Sequence, residues 1–306
     1  MSANHTTDVH VANRLDARGI ALAILVMVLI GGSFTMVKAG LRDLPVFGLL
    51  LLRSVVASVA LGIYMVWVGL PFAYSGRARQ FLLAQTVAFT AGQVLLYLGL
   101  AQTTAGRGAI LLNVQPFITL LLLPLFVPTE RLDLRRLLGT VVAFAGVVFV
   151  LAERGVSGGT WVGDLLVLAS AVLWTSNVIM NKTMPAELHP VPVIFWGVSG
   201  AVPVLVAMTL IFEPHATWRL TTEAVVSVMY LGIVTAAFSF VAFVWLIRTY
   251  SASRVNAFVF LSPVFGVLIG WIALGEQLTW AQAAGTLGVA AGIWIVNTDK
   301  QVCSRP

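Results

Sequence analysis

The sequence predicts an all-α integral membrane protein: ten transmembrane helices forming two inverted five-helix repeats. Three observations predict this. Of 306 residues, 59% are hydrophobic and 10% charged, where a soluble domain carries roughly 25% charged residues to cover its surface. Ten apolar runs follow one another, each near the ~20 residues that cross a bilayer as a helix. Spaced Arg, Pro, Glu and Gly positions recur in the second half at an offset of about 146 residues.

The polar stretch 1–18 reads as an N-terminal tail. The first apolar run begins at Gly19, and no A-x-A cleavage pattern follows it, so it reads as a retained helix and not a removed signal peptide. The expected spans are 19–38, 46–68, 81–101, 107–127, 135–152, 161–181, 191–212, 224–246, 254–274 and 280–297, with 298–306 as a C-terminal tail. Short polar or Pro-containing joints separate them, such as Arg42-Asp43-Leu44-Pro45 and Gly275-Glu276-Gln277. Runs this long without period-2 alternation exclude a β-barrel, whose strands alternate over about 10 residues.

The net charge of +6 does not point to nucleic acid, because the 18 Lys and Arg form no basic stripe or tail. They sort instead by side of the membrane. With both termini placed in the cytoplasm, the inner side of the cell membrane holds Arg14, Arg18, Arg77, Arg79, Arg131, Arg135, Arg136, Lys182, Arg248, Arg254, Lys300 and Arg305. The outer side holds Lys38, Arg42, Arg53, Arg107, Arg154 and Arg219. Twelve against six follows the positive-inside rule and demands an even span count. The one cysteine, Cys303, and the four histidines lie in tails or joints. Neither a metal site nor any cofactor is expected.

The repeat is clearest between Ala105-Gly106-Arg107 through Pro116 and Ala252-Ser253-Arg254 through Pro263, nine residues from Arg to Pro in both. Glu130, Gly139 and Gly146 are spaced as Glu276, Gly285 and Gly292 are, and Ser33-Phe34 to Lys38 parallels Asn177-Val178 to Lys182. The units run 19–152 and 161–297. An odd number of spans per unit inserts the second upside down relative to the first. Inverted pairs characterise transporters, which bind substrate near the midplane between repeats and rock one half against the other. A duplicated structural bundle is the plainer alternative.

Gly275-Glu276-Gln277-Leu278-Thr279-Trp280, followed by Gln282, Gly285 and Gly292, resembles the end of an EamA domain. Thr129-Glu130-Arg131-Leu132 is a weaker version in the first half, and Leu52-Arg53-Ser54 resembles that family's Arg before a small-residue apolar run. Two such domains cover nearly the whole chain, which thereby resembles the ten-helix drug/metabolite transporter superfamily and, within it, bacterial aromatic amino-acid exporters. The resemblance implies that spans 1, 3, 4, 6, 8 and 9 line a central cavity and that 5 and 10 are peripheral. Small multidrug antiporters of that superfamily use a membrane carboxylate, and this chain has none around Gly31 to Phe34 or in the middle of any expected span. Export of neutral or zwitterionic solutes such as amino acids is therefore expected. Efflux of cationic drugs is the alternative.

Polar side chains in hydrocarbon are costly and mark function by default. Gln93 and Tyr97 share a face of span 3 at i, i+4, with Gln85 two turns back. Asn113 and Gln115 precede Pro116 in span 4. Trp174 and Asn177 lie in span 6, Ser239 and Phe240 in span 8, and Asn256 and Ser262 before Pro263 in span 9. An amide offers donors and an acceptor, so it suits both ammonium and carboxylate. Rings supply stacking and cation–π capacity. Gln93, Tyr97, Asn113, Gln115, Trp174, Asn177, Ser239, Phe240 and Asn256 are the expected substrate contacts. Interhelical glue, worth about 0.6 kcal/mol per bond, is the competing role for each amide. Pro116 and Pro263 occupy matching places, each removing a helical hydrogen bond; they are expected at a gating bend, or simply at a static kink.

Trp245 and Trp280, near span ends, are expected in the interfacial aromatic belt. Arg53 is expected to snorkel to the outer interface. Arg107 and Arg254 are expected as topogenic or headgroup-binding charges, with attraction of a substrate carboxylate as the secondary alternative. Gly197-Val198-Ser199-Gly200 superficially resembles a nucleophile motif, but with no histidine in a span to act as base, an enzyme is not expected. A receptor or scaffold is ranked low, since no soluble domain is present to signal through. The expected partners are a small-molecule substrate and the lipid bilayer, for a chain that functions as a monomer.

Overall fold

A computed structural model describes residues 16–126, 134–152, 159–182, 184–185, 188–250, 255, 258–259 and 261–297. Most of the expected N-terminal tail, the C-terminal tail, Arg254 and Asn256 lie outside the described residues. The helices are α1 (Ala17–Gly40), α2 (Val46–Val68), α3 (Gly76–Gln102), α4 (Ala105–Leu112), α5 (Gln115–Phe126), α6 (Leu134–Ala152), α7 (Trp161–Lys182), α8 (Pro190–Phe212), α9 (Thr222–Met229), a π-helix at Tyr230–Ser239, α10 (Phe240–Thr249), α11 (Leu261–Leu274) and α12 (Trp280–Asn297).

Local chemistry sets the ends. Asp16 caps α1, its carboxylate accepting from the Gly19 N–H at 2.8 Å, so the helix starts inside the stretch expected to be tail. The same oxygen accepts from the Tyr250 hydroxyl at 2.8 Å. These two bonds, the backbone one foremost, hold Asp16 below the usual carboxylate range. α2 ends at Gly69, whose φ of 74° is open to glycine without strain.

Among the described residues, length and apolarity mark six segments as able to cross a membrane: α1, α2, α3, α7, α8 and the continuous stretch Thr222–Leu246. Ten full-length spans are not found by this count. The fourth expected span is divided at Asn113 and Val114, and α11 begins only at Leu261. α6 and α12 are 19 and 18 residues long.

The helices pair across the halves. α6 packs on α12, α2 on α8, α3 on α7, α1 on α11 and on the π-helix, and α7 on α4 and α5. α3 also packs on α8, as α2 does on the π-helix. Exchanging each first-half segment for its second-half counterpart turns this pattern into itself, as expected for a duplicated unit. Glycines allow the close crossings. A Cβ on Gly146 would stand 2.9 Å from the Gly285 carbonyl oxygen, and one on Gly163 would stand 2.8 Å from the Gln102 backbone. Because backbone cannot step aside, Gly163→Ala is expected to cost about 1–3 kcal/mol. Gly62→Ala, whose Cβ meets only the Phe195 side chain at 3.5 Å, is the matched control. A lower melting temperature for the first variant alone checks the assignment; equal melting would refute it.

Carboxylates from one half cap helices of the other. Glu213, just past α8, accepts from the Phe47 and Gly48 N–H groups at 3.1 Å each. Glu276 accepts from Ala105 at 2.7 Å and Gly106 at 3.0 Å. Both meet otherwise unpaired N–H groups at the positive end of a helix. Asp43 joins the same end of the bundle, its backbone oxygen accepting from the Arg219 N–H at 3.0 Å and its carboxylate from the Thr221 hydroxyl.

Candidate functional site

Arg53 stands about 10 Å along α2 at 1.5 Å per residue. It is 3% exposed. The expected snorkelling therefore does not occur, because the side chain turns into the bundle toward α3. Its Nη1 donates to the Tyr97 hydroxyl at 2.9 Å and to Gln93 Oε1 at 3.3 Å. The i, i+4 spacing of Gln93 and Tyr97 puts both on the face that meets it, and the guanidinium carbon lies 5.6 Å from the Tyr97 ring centroid. Nε and Nη2 are buried and have no hydrogen-bond partner among the described residues. A charge in hydrocarbon costs about 2.5–3.5 kcal/mol even on lenient scales, so so exacting a placement demands a reason.

One turn from Gln93 on the same face of α3, Phe89 begins an aromatic cluster. Its ring lies 5.4 Å from Trp174 of α7 and 6.4 Å from Phe240 of α10, and Trp174 and Phe240 are 5.7 Å apart. All three contacts are edge-to-face, the arrangement ring quadrupoles favour. Gly92 lies against the indole: a Cβ there would be in ordinary contact with Trp174 Nε1, at 3.6 Å. Phe240 is delivered by the π-helix, in which Ser239 Oγ donates to the Val234 carbonyl five residues back at 2.7 Å. Such wide turns recur at functional sites.

The structure thus brings Gln93 and Tyr97 together at Arg53, and Trp174 and Phe240 together at Phe89. Of the other described expected contacts, Asn113, Asn177 and Ser239 bond within their own helices, and Gln115 also reaches α7. Asn113 caps α4, donating to the Ala109 carbonyl at 2.7 Å. Gln115 donates to Thr119 at 3.2 Å, and its backbone oxygen accepts from Thr175 at 3.3 Å, joining α5 to α7. Asn177 donates to the Leu173 carbonyl at 3.0 Å and keeps a buried, unpaired Oδ1. Ser239 is fully buried in the π-helix. Gln85 Oε1, Thr90 Oγ1 and Trp174 Nε1 are also buried and unpaired. Each such atom costs about 1–3 kcal/mol if left so.

The prolines stand in first helical turns and not in mid-helix. Pro116 is the second residue of α5, after the break at Asn113 and Val114, and Pro263 is the third of α11, after the turn at Phe258 and Val259. A missing N–H is tolerated there, because first-turn donors have no helical acceptor. Trp245 and Trp280 are 47% and 91% exposed.

Arg107 is not a headgroup ligand. Its Nη2 meets Asp164 Oδ2 at 2.5 Å and its Nε meets Oδ1 at 3.4 Å, both side chains being buried. Thr103 also donates to that carboxylate, at 2.8 Å. The pair ties the start of α4 to the first turn of α7, across the two halves. Sequence reasoning missed Phe89, which carries no local signal beyond being apolar, and the burial of Arg53. The signal for Arg53 was a cation two turns inside a span.

Both halves match the EamA-like transporter family, over residues 17–152 and 161–298. A probable amino-acid metabolite efflux pump of Salmonella typhimurium is 30% identical over 287 residues, 90% of this chain and 93% of its own length. A probable terminal-alkyne amino-acid exporter of Streptantibioticus cattleyicolor is 27% identical over 92% of this chain and 94% of its own. An uncharacterized transporter of Archaeoglobus fulgidus is 27% identical over 94% and 99%. A solved crystal structure, 17% identical, shares the fold with a TM-score of 0.69 over 91% of this chain and 96% of that one. The chain is a multi-pass membrane protein and belongs to the EamA-like transporter family.

Proposed function

We propose that the protein exports amino acids, aromatic ones foremost, from the cytoplasm across the inner membrane. Transport proceeds by alternating access through a cavity between two inverted repeats of five spans each. The observation that carries this reading is the Phe89–Trp174–Phe240 cluster beside Gln93, built by helices of both halves. Rings and an amide together suit a solute with an apolar side chain and a zwitterionic end. A surface shared by the halves is one that their relative motion remakes. The names of the Salmonella and Streptantibioticus relatives support the amino-acid class. In this reading α4 with α5, and α11 with the segment before it, each form one span. Their breaks beside Pro116 and Pro263 then act as hinges.

Cells producing the protein are expected to tolerate toxic aromatic amino-acid analogues better and to lose preloaded phenylalanine or tryptophan faster. Proteoliposomes are expected to show counterflow of the same solutes. No faster efflux for any amino acid tested would defeat the reading, and preferential efflux of lipophilic cations would favour the drug alternative.

A further inference from the structure

The geometry assigns Arg53 a further role: it is the anion-binding residue of the transport site, taking the carboxylate of the substrate. This rests on the amino-acid reading above for the identity of the solute, and on the following observations for the anion. A guanidinium is a fork of five donors that carries its charge wherever it is placed. In Arg53 the Nη1 arm is held by Tyr97 and Gln93, while Nε and Nη2 are buried with no hydrogen-bond partner among the described residues. Nε and one Nη are the two donors that bind a carboxylate side by side.

No acidic side chain among the described residues supplies the counter-charge. Asp16 bonds Tyr250, Asp43 bonds Thr221, Asp164 bonds Arg107, Glu213 bonds Phe47 and Gly48, Glu223 bonds Arg42, and Glu276 bonds Ala105 and Gly106. Each sits at a helix end or in a connector. A buried cation whose counter-ion is not built into its surroundings is suited to one that arrives with the cargo.

An open cleft lies further along α3, and Arg53 and Tyr97 are buried beyond its lining. Ala101 lies one turn beyond Tyr97 on the same face of α3, and with Lys38, Arg42 and Glu276 it lines an open cleft of about 320 Å³. In the other direction along α3, Gln93 and then Phe89 lead to the aromatic cluster. A carboxylate on Arg53 therefore leaves the apolar part of an amino acid facing the rings. The same cation repels a cationic drug.

The test uses the purified full chain in proteoliposomes, with competition against labelled phenylalanine and thermal stabilisation as independent readouts. Phenylalanine, phenylalaninamide, 3-phenylpropionate and 3-phenylpropionamide are the probes. Wild type is expected to prefer each carboxylate over its amide by about tenfold or more, the worth of one charge-assisted hydrogen bond. Arg53→Gln is expected to bring both ratios near one, and Arg53→Lys, which keeps the charge but breaks the fork, to give intermediate values. A purely structural Arg53 would lower stability and leave the ratios untouched.

Equal competition by acid and amide in wild type overturns the assignment, as does a wild-type ratio retained in Arg53→Gln. If Arg53→Gln yields no folded protein, an unchanged ratio in Arg53→Lys overturns it instead. Wild type that ignores phenylalanine but binds 3-phenylpropionate in an Arg53-dependent way keeps the anion site and removes the amino-acid reading. Phenylalanine transport with unaltered preference in Arg53→Gln does the reverse.

Discussion

Asp164→Ala is expected to destabilise the protein by about 3–5 kcal/mol, the usual consequence of removing one partner from a buried ion pair. Both side chains of the Arg107–Asp164 pair are 3% exposed. Removing the carboxylate takes the charged partner from a buried guanidinium and deprives the Thr103 hydroxyl of its acceptor. The effect is expected in thermal or denaturant unfolding of detergent-solubilised protein, as a large drop in the midpoint. Replacing both partners, as in Arg107→Leu with Asp164→Leu, is expected to recover much of the loss, because desolvating the pair offsets most of its attraction. A single variant within about 1 kcal/mol of wild type, the range of an exposed pair, would show that the pair is solvated in the membrane-embedded protein.

Trp174→Ala is expected to lower transport of aromatic amino acids at least about tenfold while leaving surface expression intact. The indole contributes two of the three ring contacts in the cluster. Aromatic pairs are worth about 0.5–1.5 kcal/mol each beyond area burial, and about 1.4 kcal/mol is a tenfold change in affinity. Trp174→Phe keeps a ring but loses the buried Nε1 donor and is expected to fall between. Asn113→Ala separates a site effect from a packing effect. Its amide donates to the Ala109 carbonyl of its own helix, so its loss is expected to lower stability with little change in preference among substrates. Full transport by Trp174→Ala would remove the cluster from the substrate path.

Within the site, legibility followed the distance over which each signal acts. The shared face of Gln93 and Tyr97 is set by helical spacing, and it was readable without coordinates. That this face meets a cation is a long-range fact: Arg53 is 40 residues from Gln93 in the chain. Phe89 is one of 17 phenylalanines, and nothing local distinguishes it from those that face lipid. Arg107 was readable as a charge opening a helix, whereas its partner Asp164 is 57 residues away. The prolines were visible as matched positions, but their placement in first turns required knowing that the preceding helix stops at Leu112 and that α11 starts at Leu261.

By itself the sequence determined that the chain is helical, membrane-embedded and internally duplicated. Hydropathy and run length are properties of consecutive residues, and a repeat is a comparison of the chain with itself. It also determined that the acidic groups stay out of mid-span, since carboxylates are simply absent there. Only the tertiary structure decided whether a polar side chain faces lipid, its own backbone or another helix. A helix presents its whole circumference in sequence, and packing alone selects the inward face. That selection turned Arg53 from an interfacial anchor into a buried cation with two free donors, and Arg107 from a lipid-facing charge into the bolt between the halves.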